Sequence, residues 1–126
     1  MNAQKGTVLV VDDQPGIRQL LAEVLQEEGY QILTAANGRD GVRIALENDP
    51  AVILMDMKMP GMNGLEALHE VALQGQGSRV ILMTAYGELD MFDKARAGGA
   101  SACITKPFDI GELCRMVDAV AARHCG

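Results

Sequence analysis

The chain has 126 residues, of which 48% are hydrophobic and 22% are charged, and its formal net charge is −6. This composition favours one folded domain and argues against a two-domain enzyme, a membrane span and direct nucleic-acid binding. The three cysteines form no C-x-x-C pair, which argues against a metal knuckle or a disulfide framework. The N-terminal segment has no signal-peptide pattern, so we expect a cytoplasmic protein.

Five short runs of apolar or β-branched residues predict β-strands. In chain order they are Thr7–Val11, Gln31–Ala35, Ala51–Met55, Arg79–Met83 and Ser101–Thr105. Several runs are apolar throughout, which is typical of strands covered on both faces in a parallel sheet. The Gln31 run alternates less clearly than the others and suits an edge strand.

Segments of helical periodicity follow the strand runs. Pro15 suits the first turn of the first helix, and weaker patterns predict a second helix at about 39–48 and a fourth at about 88–98. Asn63 and Asp109, each with an acid three residues later, have the spacing of a capping box before the third and fifth helices. Since strand and helix alternate five times, the sequence predicts a doubly wound α/β fold.

Polar residues stand directly after four of the predicted strands. They are Asp12 and Asp13, Asp56, Thr84 and Lys106. Any one of them alone could be a helix cap or a turn residue. Ligands of such sheets bind beyond the carboxyl ends of the strands, where these five side chains would meet.

A meeting of three carboxylates requires a counter-charge. At separations of about 5 Å they would repel by ~3 kcal/mol per pair at an effective dielectric constant of 20, which one lysine cannot offset. A hard divalent cation such as Mg²⁺ can offset it. Mg²⁺, a lysine and a hydroxyl are also the groups that stabilise a phosphoryl group in transfer, and an aspartate can be the nucleophile that accepts it.

The chain resembles the receiver domain of two-component response regulators over nearly its whole length. The motifs are V-D-D at 11–13, D-M-K-M-P-G-M-N-G at 56–64, M-T-A at 83–85 and K-P-F at 106–108, in the family's order and spacing. The resemblance implies a flavodoxin-like, doubly wound (βα)5 fold with a five-stranded parallel sheet in the order 2-1-3-4-5. It also implies one receiver domain over residues 1–126, without an output domain.

The resemblance implies a role for each site residue. Asp56 is the phosphoacceptor, and the transfer to it is self-catalysed. Mg²⁺, for which Mn²⁺ or Ca²⁺ can substitute, is held by Asp13, Asp56 and the backbone carbonyl of Lys58, and Asp12 orders its water shell. Three further groups bind the phosphoryl oxygens: the Thr84 hydroxyl, the Ala85 backbone N–H and the Lys106 side chain. A cis peptide bond is implied before Pro107.

Four further motifs are similar to single-domain receivers of sporulation-type phosphorelays. They are D-D-Q-x-G-I-R at 12–18, E-G-Y-Q at 28–31, A-A-N-G at 35–38 and T-A-Y-G-E-L-D-M at 84–91. The similarity implies a monomer that takes a phosphoryl group from a sensor histidine kinase and relays it to a histidine phosphotransferase, with a phosphatase as a further candidate partner. It implies a docking surface of Gln14, Gly16, Ile17, Leu20, Lys58, Tyr86, Pro107 and Phe108.

Other interpretations remain open at this stage. The chain could be an output regulator that binds a target when phosphorylated, or an aspartate-nucleophile phosphohydrolase, although that class would need an acid where Lys58 stands. Ile17 or Leu20 could lie in the core. Cys103 occupies a position where many receivers carry Tyr or Phe, which puts aromatic signalling through the last strand in doubt. Lys58 and Tyr86 offer no group to orient an attacking water, so we expect slow autodephosphorylation.

Overall fold

The computed structural model describes residues 5–85 and 90–124 and shows one sheet with helices on both faces. The strands are β1 (Thr7–Val11), β2 (Gln31–Ala35), β3 (Val52–Asp56), β4 (Val80–Ala85) and β5 (Ala102–Lys106). The helices are α1 (Pro15–Glu27), α2 (Gly38–Asn48), α3 (Gly64–Leu73), α4 (Met91–Ala97) and α5 (Ile110–His124). All four strand pairings are parallel, in the order β2-β1-β3-β4-β5, which confirms the predicted fold and places the Gln31 strand at an edge.

The two faces of the sheet carry separate apolar cores. Side chains of successive strand residues point to opposite faces, so Val8 packs toward α1 and α5 while Leu9 packs toward α2, α3 and α4. Every residue of β3 is buried, because helices cover it on both sides. This explains why its sequence is a continuous apolar run rather than an alternating one.

Two of the predicted helix caps are present. The Asn63 side chain accepts a hydrogen bond from the Glu66 backbone N–H at 2.9 Å, and the Glu66 carboxylate accepts one from the Asn63 N–H at 2.9 Å. Asp109 caps α5 by accepting a hydrogen bond from the Glu112 N–H at 3.0 Å.

Within residues 5–85 and 90–124, none of the helices has the length and apolar character that a bilayer crossing requires.

Some boundaries differ from those predicted. The third, fourth and fifth strands run to Asp56, Ala85 and Lys106, one or two residues further than their apolar runs, because ladder pairing continues into polar positions. The fourth strand begins at Val80, because Arg79 ends a short 3-10 helix and binds Asp49 Oδ1 at 2.5 Å. Helix α4 begins at Met91; the earlier part of the prediction falls partly on residues 88 and 89, which lie outside the described residues.

Candidate functional site

Three aspartates meet at the carboxyl edge of the sheet. Asp12 and Asp13 directly follow β1, and Asp56 is the last residue of β3, the strand that pairs with β1. One carboxylate oxygen from each of the three lies within 4.8 Å of the others. Asp12 and Asp56 are buried whereas Asp13 is exposed, so this acidic cluster opens to solvent on the Asp13 side.

Asp12 is held in place from several directions. Its Oδ1 accepts a hydrogen bond from the Gln14 backbone N–H at 2.9 Å, and its backbone carbonyl accepts one from the Arg18 guanidinium at 2.7 Å. Its Oδ2 accepts a third, from Lys106 Nζ at 2.8 Å. These contacts restrain both the carboxylate and the peptide that joins β1 to the loop.

Lys106 links two of the acids. It ends β5, on the far side of β4 from β3, and its side chain reaches across so that Nζ lies 2.8 Å from Asp12 Oδ2 and 3.1 Å from Asp56 Oδ1. Burial alone would lower the pKa of Lys106. The hydrogen bond and negative charge of Asp12, followed by those of Asp56, outweigh burial and raise the pKa above its usual value. Lys106 is therefore a fixed positive charge between two carboxylates.

The pKa of Asp56 is raised above its usual value. Burial is the largest cause, and the charge of Asp12 adds to it, while the charge and hydrogen bond of Lys106 act in the opposite direction. The net direction shows that the lysine compensates only part of the cost of ionising Asp56 beside Asp12. The negative charge of the three aspartates is therefore only partly compensated by Lys106.

The loop after Asp56 forms one wall of the site. A groove of about 400 Å³ beside the acids is lined by Asp13, Met57, Lys58, Met59, Pro60 and Asn63. Lys58 is exposed. At the other side of the site, buried Thr84 and exposed Ala85 end β4, where Ala85 pairs with Lys106. The site is therefore assembled from the ends of four neighbouring strands.

The donor set fits a hard divalent cation. Carboxylate oxygens from three aspartates, one of them open to solvent, are the ligands that Mg²⁺ prefers, together with water. Histidine and cysteine, which softer metals prefer, contribute nothing to the described part of this cluster. The residues present therefore suit Mg²⁺.

Comparison with known proteins gives the family. The family model described as the response regulator receiver domain matches residues 8–118. The chain belongs to this family. It is 49% identical to Sporulation initiation phosphotransferase F of Bacillus subtilis, over 84% of this chain and 86% of that protein.

Other relatives and a solved structure agree with the family. Protein PilH of Pseudomonas aeruginosa is 35% identical over 91% of this chain and 97% of its own length. The chain spans only 57% of Transcriptional regulatory protein PdtaR of Mycobacterium tuberculosis, to which it is 36% identical over 92% of this chain. The structure of the Vibrio cholerae chemotaxis protein CheY4 has a TM-score of 0.84 and 32% identity, and the match covers 94% of this chain and 99% of that one. The chain is thus a receiver domain of two-component systems.

The structure also shows where the predicted docking residues lie. The exposed ones are Gln14, Gly16, Leu20, Lys58 and Pro107, and the Lys106–Pro107 peptide bond is cis, as expected. Leu20 keeps 44% of its surface exposed, so placing it in the core would be wrong. Ile17 and Phe108 are partly buried and pack against the apolar cluster under α1 and α5. Tyr86 lies outside the described residues.

Sequence reasoning missed one contributor to the site and left the role of another open. Arg18, one turn into α1, reaches back to the Asp12 carbonyl. Nothing in the sequence signals this contact, because it depends on how α1 leaves the loop. Gly64, at the start of α3, packs directly on the Asp56 carbonyl. From the sequence, glycine eight residues after the central aspartate could serve either a positive φ or a close backbone approach, and the structure shows the close approach.

Proposed function

We propose that this receiver accepts a phosphoryl group on Asp56 from the phosphohistidine of a sensor histidine kinase and passes it to a histidine phosphotransferase. The observation that carries the proposal is the pairing of Asp56 with Lys106 beside the other two acids. A nucleophilic carboxylate, a fixed ammonium and a divalent-cation site within one small cluster are the equipment of phosphoryl transfer.

In the forward step, an Asp56 carboxylate oxygen attacks phosphorus as the bond from phosphorus to the kinase imidazole nitrogen breaks. The electron pair of that bond stays on the imidazole, and the product on Asp56 is an acyl phosphate. Lys106 neutralises a phosphoryl oxygen, and the Thr84 hydroxyl and the Ala85 N–H bind the others. Asp13, Asp56 and the Lys58 carbonyl would hold Mg²⁺, which supplies charge neutralisation of the attacking and transferred groups.

The relay step is supported by the identity of 49% to a relative whose name describes a phosphotransferase. The exposed residues around the acids fit docking of a helical partner, since Leu20 presents an apolar side chain on α1 beside exposed Gln14 and Gly16. A partner seated there would bring its histidine to the open side of the acidic cluster. We propose the same surface for the kinase and the phosphotransferase, and we place the protein in the cytoplasm as a monomer.

Acetyl phosphate and Mg²⁺, followed by intact mass and peptide mapping, test the site. Wild type should gain one phosphoryl group on Asp56, and Asp56→Asn should gain none. Asp93→Asn, an exposed change on α4, is the matched control and should react like wild type. Modification of Asp56→Asn to the wild-type level would contradict the proposal.

A second experiment separates a relay from an output regulator. Phosphorylated protein is mixed with a histidine phosphotransferase bundle, and the label is followed on both chains. Movement of the label to the bundle supports the relay. Retention of the label, together with phosphate-dependent binding of a target protein, would instead support the output role.

The phosphoryl group should be long-lived. Lys58 stands two residues after Asp56 and is exposed, and its ammonium cannot accept a proton from an attacking water as a carboxylate could. Decay of the phosphorylated protein in Mg²⁺, followed by intact mass, should therefore take minutes or longer, and a half-life of seconds would contradict this. Lys58→Glu is the informative variant, because it introduces the missing acceptor and should accelerate the decay.

A further inference from the structure

Gly64 has no room for a side chain. It is buried as the first residue of α3. A Cβ built on it would lie 2.5 Å from the Asp56 carbonyl oxygen, 2.8 Å from Met57 Cα and 3.0 Å from Leu82 Cδ1. The first two are backbone atoms of the loop that leaves β3, and they cannot rotate away as a flexible side chain would.

Space, and not backbone conformation, is the reason for glycine at this position. Gly64 is absent from the described residues with positive φ, whereas Gly61 in the same loop has φ of 76°. An L-residue at Gly64 could therefore adopt the helical backbone. It could not approach the peptide between Asp56 and Met57 as closely as Gly64 does.

Met57 is held on both sides, through its N–H in that peptide and through its carbonyl in the next one. The Met57 N–H donates to the Met83 carbonyl of β4 at 2.8 Å, and the Met57 carbonyl accepts from the Gly64 N–H at 2.9 Å. The start of α3 thus rests on the segment that carries Asp56 on one side and Lys58 on the other. Displacing α3 by the size of one methyl group must shift this segment or break one of these bonds.

We infer that Gly64 is a positioning residue for the cation site, an inference that rests on the proposed function. Its bare Cα lets α3 clamp the peptide after Asp56, which fixes both the Asp56 carboxylate and the Lys58 carbonyl relative to Asp13. Gly38 of α2 supports the same loop at its other end, because a Cβ there would lie 2.7 Å from the Met62 carbonyl oxygen.

Gly64→Ala tests the inference, with Val71→Ala as the matched control. Val71 is fully buried on the same helix, so its truncation weakens the packing of α3 without pushing on the Asp56 peptide. Two properties of the unphosphorylated protein are measured: the Mg²⁺ dissociation constant by calorimetry, and the Met57 and Lys58 amide chemical shifts without metal. Urea unfolding of each variant reports its stability.

Gly64→Ala should raise the Mg²⁺ dissociation constant by roughly tenfold or more, in line with the loss of groups that orient metal ligands, and should shift both amides. Val71→Ala should keep wild-type affinity even if it is the less stable variant. Wild-type affinity in Gly64→Ala, or an equal loss in Val71→Ala, would overturn the inference. If Gly64→Ala does not fold, Gly38→Ala decides in the same way: weaker Mg²⁺ binding than Val71→Ala supports the inference, and equal binding overturns it.

Failure of the inference and failure of the proposed function can be distinguished. Wild type that takes a phosphoryl group on Asp56, beside a Gly64→Ala variant of unchanged Mg²⁺ affinity, contradicts the inference alone. Wild type that never becomes phosphorylated, beside a Gly64→Ala variant of weakened affinity, contradicts the proposed function alone.

Discussion

Replacing Lys106 with methionine should destabilise the metal-free protein and tighten its binding of Mg²⁺. The Lys106 ammonium lies 2.8 Å from Asp12 Oδ2 and 3.1 Å from Asp56 Oδ1. At an effective dielectric constant of 20, these contacts correspond to about 6 and about 5 kcal/mol of Coulomb attraction. Methionine keeps much of the length and apolar volume of lysine and removes the charge.

The loss of stability in Lys106→Met should be smaller than the Coulomb attraction between Lys106 and the two carboxylates. Desolvation offsets much of it, and removing one partner of a buried pair typically costs about 3–5 kcal/mol. Lys106 keeps 23% of its side chain exposed, so we expect about 3 kcal/mol. The two carboxylates left behind, within 4.8 Å of each other, repel by about 3.5 kcal/mol at the same dielectric constant.

The same change should favour Mg²⁺. A cation that approaches the acids no longer competes with an ammonium for them, and relief of about 1.4 kcal/mol already amounts to a tenfold tighter dissociation constant. We therefore expect at least about tenfold tighter Mg²⁺ binding in Lys106→Met. Phosphorylation by acetyl phosphate should nevertheless be slower, because the variant lacks a positive charge for the transferred group.

Urea unfolding in EDTA measures the stability loss, and calorimetric titration of the folded protein measures Mg²⁺ binding. Lys94→Met is the control, because Lys94 pairs with Asp90 at 3.1 Å on the exposed surface of α4. Loss of this ion pair should lower the free energy of unfolding by less than about 0.5 kcal/mol and leave Mg²⁺ binding unchanged. The reasoning is refuted if Lys106→Met is as stable as wild type in EDTA, or if it binds Mg²⁺ more weakly than wild type does.

Three further changes have expected outcomes. Asn63→Ala removes the side-chain oxygen that accepts the Glu66 N–H in the α3 capping box and should lower the free energy of unfolding by about 1 kcal/mol, measured with urea. Tyr30 donates a hydrogen bond to Asp118, and burial followed by this bond raises its pKa above 10.0, so its stabilising effect is complete below pH 10.0 and is lost as the pH rises further. Tyr30→Phe should be less stable by about 1 kcal/mol at neutral pH, with a gap to wild type that narrows in alkaline urea titrations; a constant gap would argue against the hydrogen bond. The pKa of Asp56 is raised above 3.8, so its ionisation costs stability as the pH rises from 3.8 through the folded value. Asp56→Asn should therefore be more stable than wild type at pH 7 without metal, by a margin that shrinks as the pH falls toward 3.8 and is absent below it.

The fold was predictable because its signals are local. Unbroken apolar runs marked the strands that helices cover on both faces, and the caps at Asn63 and Asp109 were readable from two residues each. The strand ends were less predictable. Asp56 and Lys106 belong to the ladder because neighbouring strands pair with them. Such pairing depends on the assembled sheet and cannot be inferred from a polar residue in the sequence.

The site was predictable in its members but not in its contacts. Parallel strands bring their carboxyl ends to one edge of the sheet. The backbone therefore places Asp12, Asp56 and Lys106 near one another whichever rotamers their side chains adopt. Which acid the lysine binds depends on how far its side chain reaches past β4, and the structure shows contact with both. Leu20 shows the same limit on α1, because one amphipathic stripe holds both buried Leu21 and a neighbour that remains 44% exposed.

The arrangement of charge explains why this edge of the sheet is suited to a transient ligand. Asp12 and Asp56 are buried and joined by Lys106, so their positions are set before any cation or phosphoryl group arrives. Asp13 is the exposed member, and a cation can therefore reach the cluster from solvent without displacing the buried pair. Because one lysine leaves the three carboxylates with excess negative charge, a cation bound among them would relieve repulsion that folding has already imposed.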